Sequence, residues 1–337
     1  MSESVLKFGQ IIGQDGAIRM LRSTLPPNQP GNGYLFTGPE GVGKVTTAMA
    51  WARALFCQGA GQDACGRCGP CLKVEDGAHP DLLTIRPQVK KNKVTEEIDI
   101  VDVRGLIERL YYKPYEANRK IAIIDSAEKM NLAASSAFLK TLEEPPGDTV
   151  IILSTSNPSK APSTITSRCQ VVRFLPAPAD QMAKYLVERR GFSEEEARTL
   201  AVMSGGRLGA ADPERLNEDI AQRRLALDFV AGARNEPAVK YLKLAQKMDK
   251  SKDRAAVDKF LVMVFSVFRE LAVMKITGKY DKLIYKDIIG ELEEAGRDYT
   301  PKDVLNALSL LERLMASRTW NINPLLTVSL LYYELKS

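Results

Sequence analysis

An apolar run enters a glycine-rich turn and meets a lysine in the stretch Tyr34-Leu35-Phe36-Thr37-Gly38-Pro39-Glu40-Gly41-Val42-Gly43-Lys44-Val45. The spacing follows G-x-x-x-x-G-K-[Ser/Thr], the phosphate-binding loop that joins a buried strand to a helix. In such a loop the backbone N–H groups and the helix N-terminus hold phosphates, and the lysine reaches the β and γ phosphates. The residues available for this are Gly38, Gly41, Gly43 and Lys44. The sequence therefore predicts a strand, loop and helix of nucleotide-binding ancestry.

Two side chains that a working nucleotide site needs are replaced. The last loop position normally holds Mg²⁺ through a hydroxyl, but Val45 has none. Thr46 has one, yet a step of one residue turns it about 100° around a helix, so we expect it to point elsewhere. Asp125 ends a second buried strand and either acts on Mg²⁺ or caps the strand, and Ser126 replaces the glutamate that would polarise the attacking water. Glu128 comes two positions too late for that role. These departures predict lost ATP hydrolysis and leave binding of ATP and Mg²⁺ open.

Composition describes a globular, mildly basic protein. The 337 residues suffice for two or three domains, and 45% apolar residues suffice for real cores. The net charge of +5 permits contact with nucleic acid without arguing for it. We see no signal peptide at the start, and the most apolar run, at 260–268, is too short to cross a bilayer. We therefore expect a cytoplasmic protein whose thiols are reduced and which makes no membrane contact.

The pattern of apolar residues divides the chain into three parts. Short apolar runs alternate with helical spacing up to about residue 175, which predicts a parallel sheet covered on both faces. Five strands are predicted, at 34–36, 82–85, 121–124, 150–153 and 171–174, with helices at 43–56, 98–112 and 131–143. Only helical patterns follow, the clearest at 219–232, 237–248, 253–276, 301–317 and 324–336. The predicted domains are an α/β domain at 1–175, a small helical domain at 176–211 and an all-helical domain at 212–337.

Four of the five cysteines lie close together in the sequence: Cys57, Cys65, Cys68 and Cys71. Four thiolates at this spacing in a reducing compartment predict one closed, structural, tetrahedral Zn²⁺ site. An iron–sulfur cluster and disulfides are the alternatives. The fifth, Cys169, is expected to be a small buried side chain. His79 is the sole histidine, which excludes a metal site with two histidines, and we expect it to be a structural hydrogen-bonding residue.

Several segments together carry a family resemblance. They are the phosphate loop followed by four cysteines, the His79-Pro80-Asp81 triplet, AFLKTLEEPP at 137–146, Ser167-Arg168-Cys169, and NINPLL at 321–326. Over essentially the whole chain these resemble the AAA+ subunits of the bacterial DNA polymerase III clamp loader. The resemblance implies an AAA+ domain with a five-stranded sheet, then a helical lid, then a helical collar. That collar would assemble a five-subunit ring with gamma/tau and delta subunits.

Departures from the family pattern favour one branch of it. The gamma/tau motor has an intact phosphate loop and an Asp-Glu pair, whereas this sequence has Val45 and Ser126 and ends after the collar without a tau-like extension. It is therefore most similar to the delta-prime branch. The resemblance implies a stator-like subunit that helps load the sliding clamp onto primed DNA without hydrolysing ATP itself. The near alternative is a gamma-type motor ATPase, and the remote alternative is an independent P-loop kinase or hydrolase.

The resemblance also implies roles for residues outside the loop. Arg168 would be an arginine finger donated in trans to the ATP of a neighbouring gamma subunit, and an internal salt bridge is its alternative. Thr155 and Asn157 follow a strand where the family has a γ-phosphate sensor, and Arg207 stands at a second sensor position. Without nucleotide, these would be surface or capping residues. The basic run at 86–93 either approaches DNA or forms a solvated loop.

Overall fold

The computed structural model describes residues 7–59, 61–89, 96–159, 163–250, 254–316 and 324–336. In these ranges no helix is both long enough and apolar enough to span a bilayer. The chain forms two compact units. The first contains Met1–Met182 and Ser204–Ala210, and the second contains Ala183–Met203 and Ala211–Ser337. The segment 176–211 therefore falls partly in each unit, and its treatment as a separate lid domain stays a prediction.

Seven strands lie in the described part of the first unit. They are β1 (Gly33–Thr37), β2 (Leu82–Ile85), β3 (Gln88–Val89), β4 (Glu96–Glu97), β5 (Lys120–Ile124), β6 (Thr149–Thr155) and β7 (Gln170–Arg173). Five of them form a parallel sheet in the order β2-β5-β6-β1-β7, which confirms the predicted sheet. The sequence did not predict the antiparallel pair β3 and β4, because two-residue strands carry no periodic pattern.

The helices of the first unit cover both faces of this sheet. They are α1 (Asp15–Arg22), α2 (Lys44–Phe56), α3 (Gly69–Glu75), α4 (Ile100–Tyr111), α5 (Leu132–Glu143) and α6 (Ser163–Thr166), with α7 (Ala179–Arg190) beginning in this unit. Alternate residues of β5 serve the two faces. Ile121 and Ile123 share a core with Trp51 of α2, whereas Ala122 and Ile124 share one with Phe138 of α5. This two-residue alternation makes β5 apolar from Ile121 to Ile124, as a strand buried on both faces requires.

The described residues of the second unit form helices and the turns that connect them, with no strand among them. It contains the remainder of α7 and α8 (Glu194–Met203), α9 (Leu216–Gly232), α10 (Ala238–Lys250), α11 (Arg254–Ala272), α12 (Ile289–Ala295), α13 (Pro301–Ala316) and α14 (Pro324–Lys336). Phe229 and Phe260 pack edge to face in its core, with ring centroids 5.2 Å apart. Arg234 ties the unit together, because it lies over the Tyr299 ring and forms a 3.0 Å ion pair with Asp303. Residues 321–323 of the predicted collar motif lie outside the described residues.

Candidate nucleotide site and cysteine module

The phosphate loop has the predicted strand–loop–helix form, with β1 ending at Thr37 and α2 beginning at Lys44. None of its three glycines can be replaced without strain, since Gly43 too has a positive φ, of 90°. A Cβ on Gly38 would collide with the carbonyl group of Phe174, and Gly41 has a φ of 81°, in the left-handed region. The backbone therefore keeps the shape of a phosphate cradle even though the side chains around it have changed.

Lys44 is turned back onto its own loop. Its ammonium group donates to the carbonyl oxygens of Gly38 at 2.7 Å and Pro39 at 2.8 Å, and the residue is only 8% exposed. Burial lowers the Lys44 pKa, while the carboxylates of Glu128 and Asp125 oppose that change. A phosphate group entering the loop would have to replace these two carbonyl contacts.

The position that would ligate Mg²⁺ offers little to a metal ion. Val45 is half-buried and carries no lone pair, and Thr46 is exposed. The next hydroxyl, on Thr47, donates to the Gly43 carbonyl oxygen at 2.8 Å. Across the site, the Asp125 carboxylate accepts from Ser154 at 2.7 Å and is not engaged by Lys44 through a direct hydrogen bond in the described part of the chain. The loop thus fits a phosphate better than it fits a metal–nucleotide complex.

Glu128 has a partner in this site that the sequence did not indicate. It lies in a short 3₁₀ turn at Ala127–Lys129. Its carboxylate accepts from the Ser156 backbone N–H at 3.0 Å and exerts the strongest attraction on the Lys44 charge. Burial raises the Glu128 pKa, but the hydrogen bonds from Ser156 outweigh it and hold the pKa below its usual value. The site therefore holds a carboxylate that balances the Lys44 charge.

Both sensor candidates lie beside the loop. Thr155 ends β6 and is fully buried, and its carbonyl oxygen accepts from the Gly38 N–H at 3.2 Å. Its hydroxyl accepts from the Asn157 N–H at 3.1 Å. Arg207 packs against Gly41, and its Nε donates to the Ser204 carbonyl oxygen at 2.9 Å. The fold therefore gathers Lys44, Asp125, Thr155 and Arg207 at the carboxyl edge of the sheet.

Arg168 lies at the opposite edge of the sheet. It comes just before β7, and its carbonyl oxygen would be 3.2 Å from a Cβ on Gly33, the first residue of β1. One strand length, about 16 Å, separates this end of β1 from the phosphate loop. The guanidinium donates to the Thr164 carbonyl oxygen at 2.9 Å and forms an ion pair with Glu143. Arg168 thus stands apart from this chain's own loop.

The four clustered cysteines converge on one point. Their sulfur atoms all lie within 4.8 Å of one another, and those of Cys65 and Cys71 are 4.0 Å apart. Four Zn–S bonds of about 2.3 Å in a tetrahedron place sulfur atoms about 3.8 Å apart, so the cluster fits such an ion. Backbone N–H groups of Arg67 and Cys68 lower the Cys65 pKa to about 6, whereas burial raises the Cys71 pKa to about 12.

The cysteine module is anchored to the helix that follows the phosphate loop. Cys57 directly follows α2, and Arg53 of that helix forms a 2.6 Å ion pair with Glu75 of α3. Asp63, inside the module, accepts from the Phe8 N–H at 3.2 Å. The module therefore joins the lead-in segment, α2 and α3.

His79 and Asp81 form a further anchor beside this module. The His79 ring stacks on Phe56, with centroids 4.0 Å apart, and its Nδ1 accepts from the Asp81 N–H at 3.2 Å. The Asp81 carboxylate is 1% exposed and accepts three N–H groups, from Tyr115 at 2.6 Å and from Glu116 and Ala117 at 2.9 Å each. His79 thus has the structural role expected from the sequence.

In the basic run at 86–93, Arg86 is exposed, and Lys90, Lys91 and Lys93 lie outside the described residues.

The sheet order and the strand–loop–helix phosphate loop define a P-loop α/β protein of the AAA+ type. A family model described as DNA polymerase III, delta subunit, matches residues 13–178. The chain is 30% identical to DNA polymerase III subunit delta' of Bacillus subtilis (strain 168), over 89% of each chain. It therefore belongs to the DNA polymerase III delta-prime family, which confirms the family predicted from the sequence.

Two further relatives match over about half of the chain. The delta' subunit of Pseudomonas aeruginosa is 36% identical over 53% of this chain and 54% of its own length. The tau subunit of Bacillus subtilis is 34% identical over 50% of this chain and 29% of its own length. The likeness therefore extends to the tau branch of the DNA polymerase III subunits.

Proposed function

We propose that this chain is a non-motor subunit of a DNA polymerase III clamp loader. In this role it assembles with gamma/tau and delta subunits in a five-subunit ring and helps place the sliding clamp on primed DNA. Arg168 completes the ATP site of a neighbouring gamma subunit, where it stabilises the charge that develops on the γ-phosphate. The chain itself does not turn over ATP.

The observation that carries this proposal is the separation of Arg168 from the chain's own phosphate loop. The two lie at opposite edges of the sheet, so an exposed arginine beside β7 has no nucleotide of its own chain to contact. A donor placed this way suits a nucleotide held by another subunit. The ion pair with Glu143 is compatible with that role, because both side chains are partly exposed.

The chain's own loop supports the non-motor part of the proposal. Val45 and Ser126 remove the metal-ligating hydroxyl and the water-polarising carboxylate, and the Glu128 carboxylate bonds to Ser156 instead. Any ATP bound here would be held by Gly38, Gly41, Gly43 and Lys44, with Asp125, Thr155 and Arg207 around it. Because the metal-ligating hydroxyl and the water-polarising carboxylate are missing, bound nucleotide would stabilise the fold of the domain and would not be hydrolysed.

We also propose that Cys57, Cys65, Cys68 and Cys71 hold one structural Zn²⁺. The sulfur positions fit a tetrahedral ion, and four protein ligands leave no open position for catalysis. Elemental analysis of the purified chain should find about one zinc per molecule.

The arginine-finger role is tested by Arg168→Ala in a complex reconstituted with gamma and delta subunits. We expect the ring to assemble and its ATPase to fall sharply, since such a finger contributes about 10³-fold or more at its site. Arg104→Ala, at an exposed position on α4, is the matched control and should leave the ATPase unchanged. An unchanged ATPase in Arg168→Ala would refute the finger, and DNA-stimulated turnover by the lone chain would favour the gamma-type motor.

A further inference from the structure

The guanidinium group of Arg168 is held by three neighbouring residues. Its Nη1 donates to the Thr164 carbonyl oxygen at 2.9 Å and to the Ser167 hydroxyl at 3.2 Å. Its Nη2 forms an ion pair with Glu143, the last residue of α5. Both N–H bonds of Nη1 are used in this way, whereas Nη2 carries a second N–H that can donate to another acceptor.

We propose that Glu143 is the positioning residue of the arginine finger, an inference that rests on the function proposed above. Glu143 holds Nη2 while the Thr164 carbonyl holds Nη1, which fixes the plane of the guanidinium group. An arginine with several rotatable bonds is thereby prepared in one orientation before a phosphate arrives. Preparing a donor in this way lowers the entropy lost in the transition state.

The main chain on both sides of this ion pair is already fixed by packing. The Arg168 N–H donates to the Ile165 carbonyl oxygen at 3.2 Å, and the Ile165 side chain is fully buried. On α5, Phe138 and Leu142 are buried in the sheet core, five residues and one residue before Glu143. The side chain of Arg168 is therefore the part whose freedom Glu143 restricts.

Stability does not account for this pair. The two side chains are 36% and 46% exposed, and ion pairs exposed to this degree contribute little to folding. Such an ion pair does, however, restrict the orientation of the Arg168 guanidinium group. During hydrolysis in the neighbour, water bonds to the γ-phosphorus as the bond to the β–γ bridging oxygen breaks, giving ADP, phosphate and a proton. Arg168 forms no covalent bond and keeps its proton throughout.

The test uses the reconstituted complex and measures kcat and KM for ATP. We expect Glu143→Ala to lose about tenfold in kcat at the site that Arg168 completes, with KM changed less than about twofold. Glu143→Gln should lose less, because its amide oxygen still accepts from Nη2. Glu144→Gln removes the neighbouring exposed carboxylate and should match the wild type. The double variant Glu143→Ala/Arg168→Ala should be no slower than Arg168→Ala alone, since both changes act through one group.

The outcomes separate this inference from the proposed function. If Arg168→Ala slows the ATPase and both Glu143 variants match the wild type, the positioning role is wrong and the finger stands. If the Glu143 and Arg168 losses multiply in the double variant, Glu143 acts through something other than Arg168 and the inference also fails. If Arg168→Ala leaves the ATPase unchanged, both are wrong. Assembly is checked by size-exclusion chromatography, and Glu143→Gln serves as the informative variant should Glu143→Ala fail to assemble.

Discussion

The two ends of α2 carry sites of opposite character. At its N-terminus the phosphate loop keeps its backbone shape, but the side chains for metal and water chemistry are replaced. At its C-terminus Cys57 begins a complete set of four sulfur ligands. The backbone shape of the phosphate loop depends on glycines and packing, which the domain needs in order to fold. Its metal and water chemistry depends on single side chains, which can be replaced without unfolding the domain. We therefore expect the C-terminal end of α2 to govern stability and the N-terminal end to tolerate substitution.

Loss of the proposed Zn²⁺ should produce the largest effect. Cys71→Ser removes a fully buried ligand, so we expect the free energy of unfolding to fall by about 3 kcal/mol and the Tm by about 10 °C. Calorimetry and elemental analysis of the same sample measure both consequences. Cys169→Ser, at the cysteine outside the cluster, should keep the full zinc content. A Cys71→Ser protein with normal zinc and normal Tm would contradict the metal site.

The Asp81 anchor should give the next largest effect. Asp81→Ala leaves three backbone N–H groups at 115–117 without their acceptor in a buried site, which should cost about 2 kcal/mol. Asp81→Asn keeps one oxygen of similar shape and should cost less. Urea unfolding curves with equal m-values would compare the two. Equal stability of Asp81→Ala and the wild type would show that the loop after α4 is held by other contacts.

The two ends of α2 also show which features of the molecule the sequence could predict. The cysteine module and the phosphate loop each lie within one short stretch of sequence. The spacing of their cysteines and glycines therefore identified the residues from Cys57 to Cys71 and from Gly38 to Lys44. The parallel sheet followed from short apolar runs that alternate with helical spacing, whereas the order of its strands came only from the structure. The bond from Ser156 to the Glu128 carboxylate had no sequence signal, because the 3₁₀ turn that carries Glu128 has no periodic pattern. The partner of Arg168 was equally hidden, since Glu143 is 25 positions away in the sequence and meets it only through the packing of α5.

His79 offers a pH test of the C-terminal end of α2. Burial against Phe56 lowers its pKa below the ordinary 6.5, although Glu116 and Asp81 oppose the shift. A base with a lowered pKa in the folded state is neutral there and gains its proton on unfolding, so stability falls as the pH drops below 6.5. Because His79 is the sole histidine, its ring protons can be followed directly by NMR. A titration midpoint above 6.5 would mean that the Glu116 charge outweighs burial.

The smallest change in stability is expected at the N-terminal end of α2. Val45→Thr adds a hydroxyl at a half-buried position and should alter the free energy of unfolding by less than about 1 kcal/mol. Restoring the metal ligand should strengthen Mg²⁺-dependent ATP binding by no more than about tenfold, as measured by calorimetric titration. Turnover should stay absent, because Ser126 still supplies no base and the Glu128 carboxylate still bonds to Ser156. ATP hydrolysis by the Val45→Thr variant would show that the missing hydroxyl at this position is enough to explain the loss of turnover. If only Val45→Thr/Ser126→Glu turns over ATP, both replacements are needed to explain the loss.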